Sequence, residues 1–233
     1  IFDQADGVTT LLLTHQNSTT VMETSLCGHA MSANHAAAAV VGLLLSEPLE
    51  RIAESLSQLR TIPGRSQRMA AYGKSTVVID AGGTPARAVA AMRPCRDMKA
   101  GGKLWCVLAI DATVDADTLS RYGTQLERFS DQAIITATEQ SRSGFLAASH
   151  HVLDGVKKCA SFRLVANRQR AIQWAITEAA PEDTILVITG ERGRTAHEQR
   201  SDLARIVECI ENARECEKEV EADSKPNLTI FGS

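Results

Sequence analysis

The sequence has few aromatic residues. Two Trp, two Tyr and five Phe make up 4% of 233 residues. So few rings exclude a stacking platform for single-stranded nucleic acid. There is no excess of basic residues either. Lys and Arg number 25 against 28 Asp and Glu, for a net charge of −3, and no basic stripe suited to a phosphate backbone is present. Nucleic acid is therefore not an expected partner. No apolar run approaches the roughly 20 residues that a membrane-spanning helix needs, and no signal peptide is recognisable, so a membrane is not expected as a partner.

The six cysteines, Cys27, Cys95, Cys106, Cys159, Cys209 and Cys216, include no Cys-x-x-Cys pair. That leaves no zinc-site pattern. Scattered thiols in a chain of this size suit a reducing cytoplasm, the expected location. Cys106 lies in an apolar run and is expected to be buried. No Ser-His-Asp or Cys-His arrangement is discernible. His150 and His151 are adjacent in a predicted helix and point about 100° apart, which does not make a metal pair. Asp111, Asp115 and Asp117 crowd one loop but lack the Gly and distal Glu of a calcium loop. Asp115 or Asp117 is expected to cap the next helix. No catalytic and no metal-ligating residue is assigned.

What the chain does have is 44% apolar residues in a regular order. TTLLLT and TVMETSL flank a turn and predict a β-hairpin. SANHAAAAVVGLLL, from Ser32, predicts a helix packed on most sides. LERIAESLSQL places Leu49, Ile52, Ala53, Leu56 and Leu59 on one face of a second helix. Ile62-Pro63-Gly64-Arg65 is a break and the expected domain boundary. Beyond it, the predicted strands are QRMAAY, STVVID, KLWCVLAI, QAIITA, SFRLVA and DTILVITG. Helices are predicted over 84–98, 117–129, 145–156, 167–179 and 197–216. Apolar strands alternating with amphipathic helices imply an α/β fold, a mostly parallel sheet with helices on both faces. Ligands of such sheets gather outside the carboxyl ends of the strands. The charged stretch after about residue 216 reads as a fraying helix and a disordered tail. The chain opens with Ile1 rather than Met and reads as a piece of a longer protein.

Two glycine turns and one decoy carry the candidate chemistry. Gly73-Lys74-Ser75-Thr76 ends like a P-loop, but Arg68 stands where the first glycine belongs and a strand follows, so a hairpin turn is expected. VVIDAGGTPARA, residues 77–88, reads as strand, turn and helix start. Thr84 can cap that helix and Pro85 suits its first position. Its free amides can hold an anion, Gly82 and Gly83 allow close backbone approach, and Asp80 can accept from a ribose hydroxyl. The alternative is a capped turn with no ligand. Thr189-Gly190 opens a second turn, where Arg192 and Arg194 can grip a phosphate or carboxylate; a solvated loop is the alternative.

The order of these segments resembles the C-terminal half of a Mur ligase over about residues 7–214, in the branch that adds the third amino acid to UDP-N-acetylmuramoyl-dipeptide. Gly28-His29-Ala30-Met31-Ser32-Ala33-Asn34 stands where the family has Gly, His-Asn and a later Asn before an alanine-rich helix. Pro63-Gly64-Arg65 matches the family's Pro-Gly-Arg. VVIDAGGTPARA matches a strand ending Asp-Tyr-Ala-His-Thr-Pro-Asp-Ala. GGKLWCVLAI and DTILVITGERG match the strands before the Gly-Gly-Asp-Arg-Asp and Gly-Lys-Gly-His-Glu loops. The resemblance implies that residues 1–62 end a central ATP-binding domain and that residues 64–216 form a Rossmann-like C-terminal domain, with 217–233 as tail. It implies ADP-forming amide synthesis, with ATP and Mg2+ as cofactors and a UDP-MurNAc-peptide precursor and an amino acid as partners. A protein partner is the further possibility for a non-catalytic relative.

Under the resemblance, Asn34, Arg65, Asp80, Gly82, Gly83 and Thr84 face the nucleotide, and Arg142, Gly190, Arg192 and Arg194 face the substrate. Most signature side chains differ, however. His-Asn is Ala30-Met31, and Tyr-Ala-His is Ala81-Gly82-Gly83. The Gly-Gly-Asp-Arg-Asp loop is Asp111-Ala112-Thr113-Val114-Asp115, and Asp-Asn-Pro-Arg falls at Thr138-Glu139-Gln140-Ser141. Lost transition-state partners imply lost chemistry. A ligase with a different amino-acid substrate, using Arg142, Arg192 and Arg194, is the remaining alternative.

Overall fold

The strand segments 76–80, 104–110, 132–137 and 184–188 are mostly apolar on both sides, and the fold buries both sides. The computed structural model describes residues 3–5, 8–26, 28–69, 75–98, 101–138, 143–190 and 196–223. Six strands form one sheet in the order β4 (Gln67–Arg68), β5 (Thr76–Asp80), β9 (Thr184–Ile188), β6 (Leu104–Ile110), β7 (Gln132–Ala137), β8 (Phe162–Leu164). All pairs are parallel except β4 with β5. Of the P-loop-like tetrapeptide, Gly73 and Lys74 lie outside the described residues, and Thr76 opens strand β5, so a strand rather than a helix follows it. Of the predicted strand QRMAAY, β4 holds Gln67–Arg68 and Met69 lies outside it, while residues 70–72 lie outside the described residues.

Successive side chains along a strand point to opposite faces, and each face meets its own helices. Val78, Cys106, Leu108, Ile135 and Leu186 pack under α3 (Pro85–Met98), α4 (Ala116–Phe129) and α5 (Phe145–Asp154). Val77, Ile79, Trp105, Val107, Ile134, Ile185 and Val187 pack under α6 (Arg168–Glu178) and α7 (Ala196–Asp223). Every residue of β6 is buried, as a central parallel strand requires. Cys106 is wholly buried, and burial, with Cys95 near it, pushes its thiol well up. Cys106, Cys159 and Cys209 are free thiols. Asp115 is the cap of α4, accepting from the Thr118 N–H at 2.8 Å. The last helix does not stop near residue 216; α7 continues to Asp223.

The N-terminal part is a three-stranded antiparallel sheet, β1 (Asp3–Ala5), β2 (Val8–His15) and β3 (Ser18–Thr24), followed by α1 (His29–Leu44) and α2 (Leu49–Ser57). Leu11, Met22 and Ala53 make its small core. The second helix ends before Leu59, so that residue leaves the predicted apolar face and is exposed. The expectation for α1 needs correcting as well. Only Met31, His35 and Ala39 are buried, and its outer face is open. Alanine and valine on all sides suggested cover on all sides, but α2 and the small sheet reach one face alone.

Candidate functional site

Asp80 ends β5, and the strand-end turn is built around its carboxylate. Oδ1 accepts from the Gly82 N–H at 2.8 Å, and Oδ2 accepts from the Ser66 N–H at 2.9 Å. The side chain is buried, and that burial raises its pKa. The amides of Ser66 and Gly82 and the charge of Arg65 oppose the rise. The turn is then stitched to its neighbours. Ala81 N–H donates to Gly64 O at 3.0 Å, Gly190 N–H to Ala81 O at 3.1 Å, and Tyr122 Oη–H to Gly82 O at 3.2 Å. The three loops at 64–66, 80–84 and 189–190 thus form one hydrogen-bonded unit.

Residue 82 has no room for a side chain. Its φ is +52°, and a Cβ there would lie 2.3 Å from Ile188 Cγ2. The glycine is accounted for by the turn itself. Thr84 caps α3, accepting from the Arg87 N–H at 3.3 Å. Pro85 has no N–H and Arg87's is taken, so the first turn of α3 offers an anion little. Gly82, Gly83 and Thr84 shape the turn but do not line the cleft beside it.

That cleft measures about 260 Å3 and is lined by Asn34 from α1, Arg65 and Ser66 from the boundary loop, Asp80 from β5 and Arg87 from α3. Its width is set by close packing. Gly28, at the start of α1, lies against Pro94 of α3, so close that a Cβ on it would come within 2.5 Å of Pro94 Cγ. The α1 helix is held from behind by His35. The ring donates from Nδ1 to Met31 O at 2.8 Å, which leaves Nε2 to accept from the Thr24 hydroxyl at 3.4 Å.

Three residues expected to meet a nucleotide, Asn34, Arg65 and Asp80, therefore line one cleft although they come from three separate segments. Gly190 sits across the turn, with its amide committed to Ala81. Arg142, Arg192 and Arg194 lie outside the described residues. Sequence reasoning missed Ser66, Tyr122 and Arg87. The first two act through long-range hydrogen bonds that leave no local pattern. Arg87 had a signal, since it stands where the motif quoted above has Ala. Among the described residues no three His, Cys, Asp or Glu side chains gather as a metal site.

A family model described as "Mur ligase, glutamate ligase domain" matches residues 64–192. The chain belongs to the Mur ligase family. A UDP-N-acetylmuramoyl-L-alanyl-D-glutamate–2,6-diaminopimelate ligase of Acidovorax sp. (strain JS42) is 31% identical over 146 residues, covering 61% of this chain and 29% of that protein. The chain thus spans about a third of the length of the curated relatives it matches. A MurF ligase from Thermotoga maritima, solved in complex with ADP, superposes with a TM-score of 0.67 at 17% identity, over 92% of this chain and 45% of that one. A Mycobacterium tuberculosis folylpolyglutamate synthase, solved with ADP and AMPPCP, gives 0.58 at 17% identity, over 87% and 48%. At such identity these structures support the fold alone. No described helix is long and apolar enough to cross a membrane.

Proposed function

We propose that this chain is the nucleotide-receiving C-terminal half of a Mur-type ligase, by descent an ATP-dependent, ADP-forming acid–amino-acid ligase of peptidoglycan precursor synthesis. The observation that carries the reading is the convergence of Asn34, Arg65 and Asp80 on one cleft between α1 and α3. When bound, ATP supplies the phosphoryl group that activates a carboxylate. This chain's own residues have a positioning part. Asn34 offers an amide for a base or hydroxyl edge, Arg65 a fork for a phosphate. Asp80, already accepting from Ser66 and Gly82, keeps lone pairs for a ribose hydroxyl.

A second reading, binding without turnover, is favoured by how the turn spends its donors. The amides of Gly82 and Arg87 go to Asp80 and Thr84, within the protein. The test is to give the chain ATP, UDP-MurNAc-dipeptide and diaminopimelate and to follow ATP binding and ADP release separately. ATP binding without ADP release is the expected result. ADP release above a protein-free blank would restore the chemistry to this chain. An absence of ATP binding would end the nucleotide reading.

A further inference from the structure

Arg87 belongs to no sequence expectation, yet it lines the same cleft as Arg65. It is the third residue of α3 and is exposed. Its backbone N–H is used by Thr84, so only its side chain is on offer. Among the described residues none makes a hydrogen bond or ion pair with the guanidinium of Arg87. In the motif quoted above, Asp and Ala follow Thr-Pro, whereas Ala86 and Arg87 follow it here. Of these two positions, the one that lines the cleft carries a guanidinium here.

The lining holds two guanidinium groups and one carboxylate. Both oxygens of that carboxylate already accept from Gly82 and Ser66, so Asp80 does not absorb a second arginine at no cost. The surplus positive charge suits a ligand group with two negative charges and several acceptors. A phosphate has both, and guanidinium forks match it geometrically. We infer that Arg87 joins Arg65 in gripping the phosphate of one ligand, so that this cleft selects a phosphorylated nucleoside over the unphosphorylated one. The inference rests on the nucleotide reading of the cleft given above.

Calorimetry on the whole chain with ADP, adenosine and inorganic pyrophosphate separates the two. ADP is expected to bind about tenfold or more tighter than adenosine, as charge-assisted hydrogen bonds to phosphate predict. R87A is expected to lose about tenfold for ADP and nothing for adenosine, and R87K, which keeps the charge without the fork, to fall between. Far-UV circular dichroism that superimposes on the parent checks that each variant folds. Equal ADP affinity in the parent and R87A would overturn the role of Arg87 and leave the nucleotide reading standing. Equal affinity of the parent for ADP and adenosine would overturn the phosphate grip. Binding of pyrophosphate alone, lost in R87A, would uphold the grip and remove the nucleoside. No binding of any of the three would overturn both.

Discussion

Asp80 carries two demands that pull apart. Its carboxylate organises the turn by accepting from Ser66 and Gly82, and its burial opposes the charge that makes it a good acceptor. Burial wins, and the pKa rises from 3.8. The folded state then holds the proton more tightly than the unfolded chain does. That contribution to stability is full below the unfolded pKa and is lost as pH rises through the folded one. Asp80→Asn is fixed in the neutral form and serves as the reference. Urea midpoints measured from about pH 7 down to about pH 4, around the carboxylate range, should show the parent gaining on D80N as pH falls. A constant gap would mean that the folded pKa is not raised. Asp80 itself was readable in the sequence as a strand-end acid. Its partner Ser66 was not, because the bond crosses between two loops whose meeting depends on the β4–β5 pairing.

At the scale of elements, α6 and α7 are joined by a buried ion pair. Arg168, the first residue of α6, donates from Nη1 to Asp202 Oδ2 at 2.9 Å and from Nη2 to Oδ1, with both residues 4% exposed. Breaking such a pair strands a charge, which costs about 3–5 kcal/mol, while replacing both partners by apolar groups is far milder. R168M should therefore lower the unfolding free energy by roughly that amount, and R168M/D202L should recover part of it. Denaturant unfolding of the two variants measures this directly. If the double variant is no more stable than R168M, the pair is not what binds α6 to α7. Helix positions were legible from apolar spacing. The pair was not, since 34 residues and a strand separate its members.

At the scale of the molecule, the core under the six-stranded sheet is closed and the N-terminal part is open. Val40, Val41, Leu44 and Leu45 of the α1 region are 55%, 56%, 80% and 73% exposed. On the small sheet, Leu12 and Val21 face each other across strands and are 51% and 60% exposed. Large apolar side chains exposed in this number on one helix end give an apolar dye somewhere to bind. The chain alone should therefore enhance the fluorescence of the apolar dye ANS under native conditions. L44K/L45K should remove most of that signal while leaving the unfolding midpoint nearly unchanged, because neither side chain is in the core. An unaltered signal would place the dye elsewhere.

The sequence by itself determined the α/β class, most strand and helix positions and the family, because apolar period and motif order are local properties of the chain. It also marked Asn34, Arg65 and Asp80, together with Gly82, Gly83 and Thr84, as one nucleotide-facing set, through the order of the motifs. Only the tertiary structure decided that these three line one cleft and that Gly82, Gly83 and Thr84 build the turn without lining it. It alone put Arg87 in the lining of the same cleft as Arg65, and it alone left one face of α1 uncovered. Each of those outcomes depends on which elements meet, and a one-dimensional pattern does not carry that information.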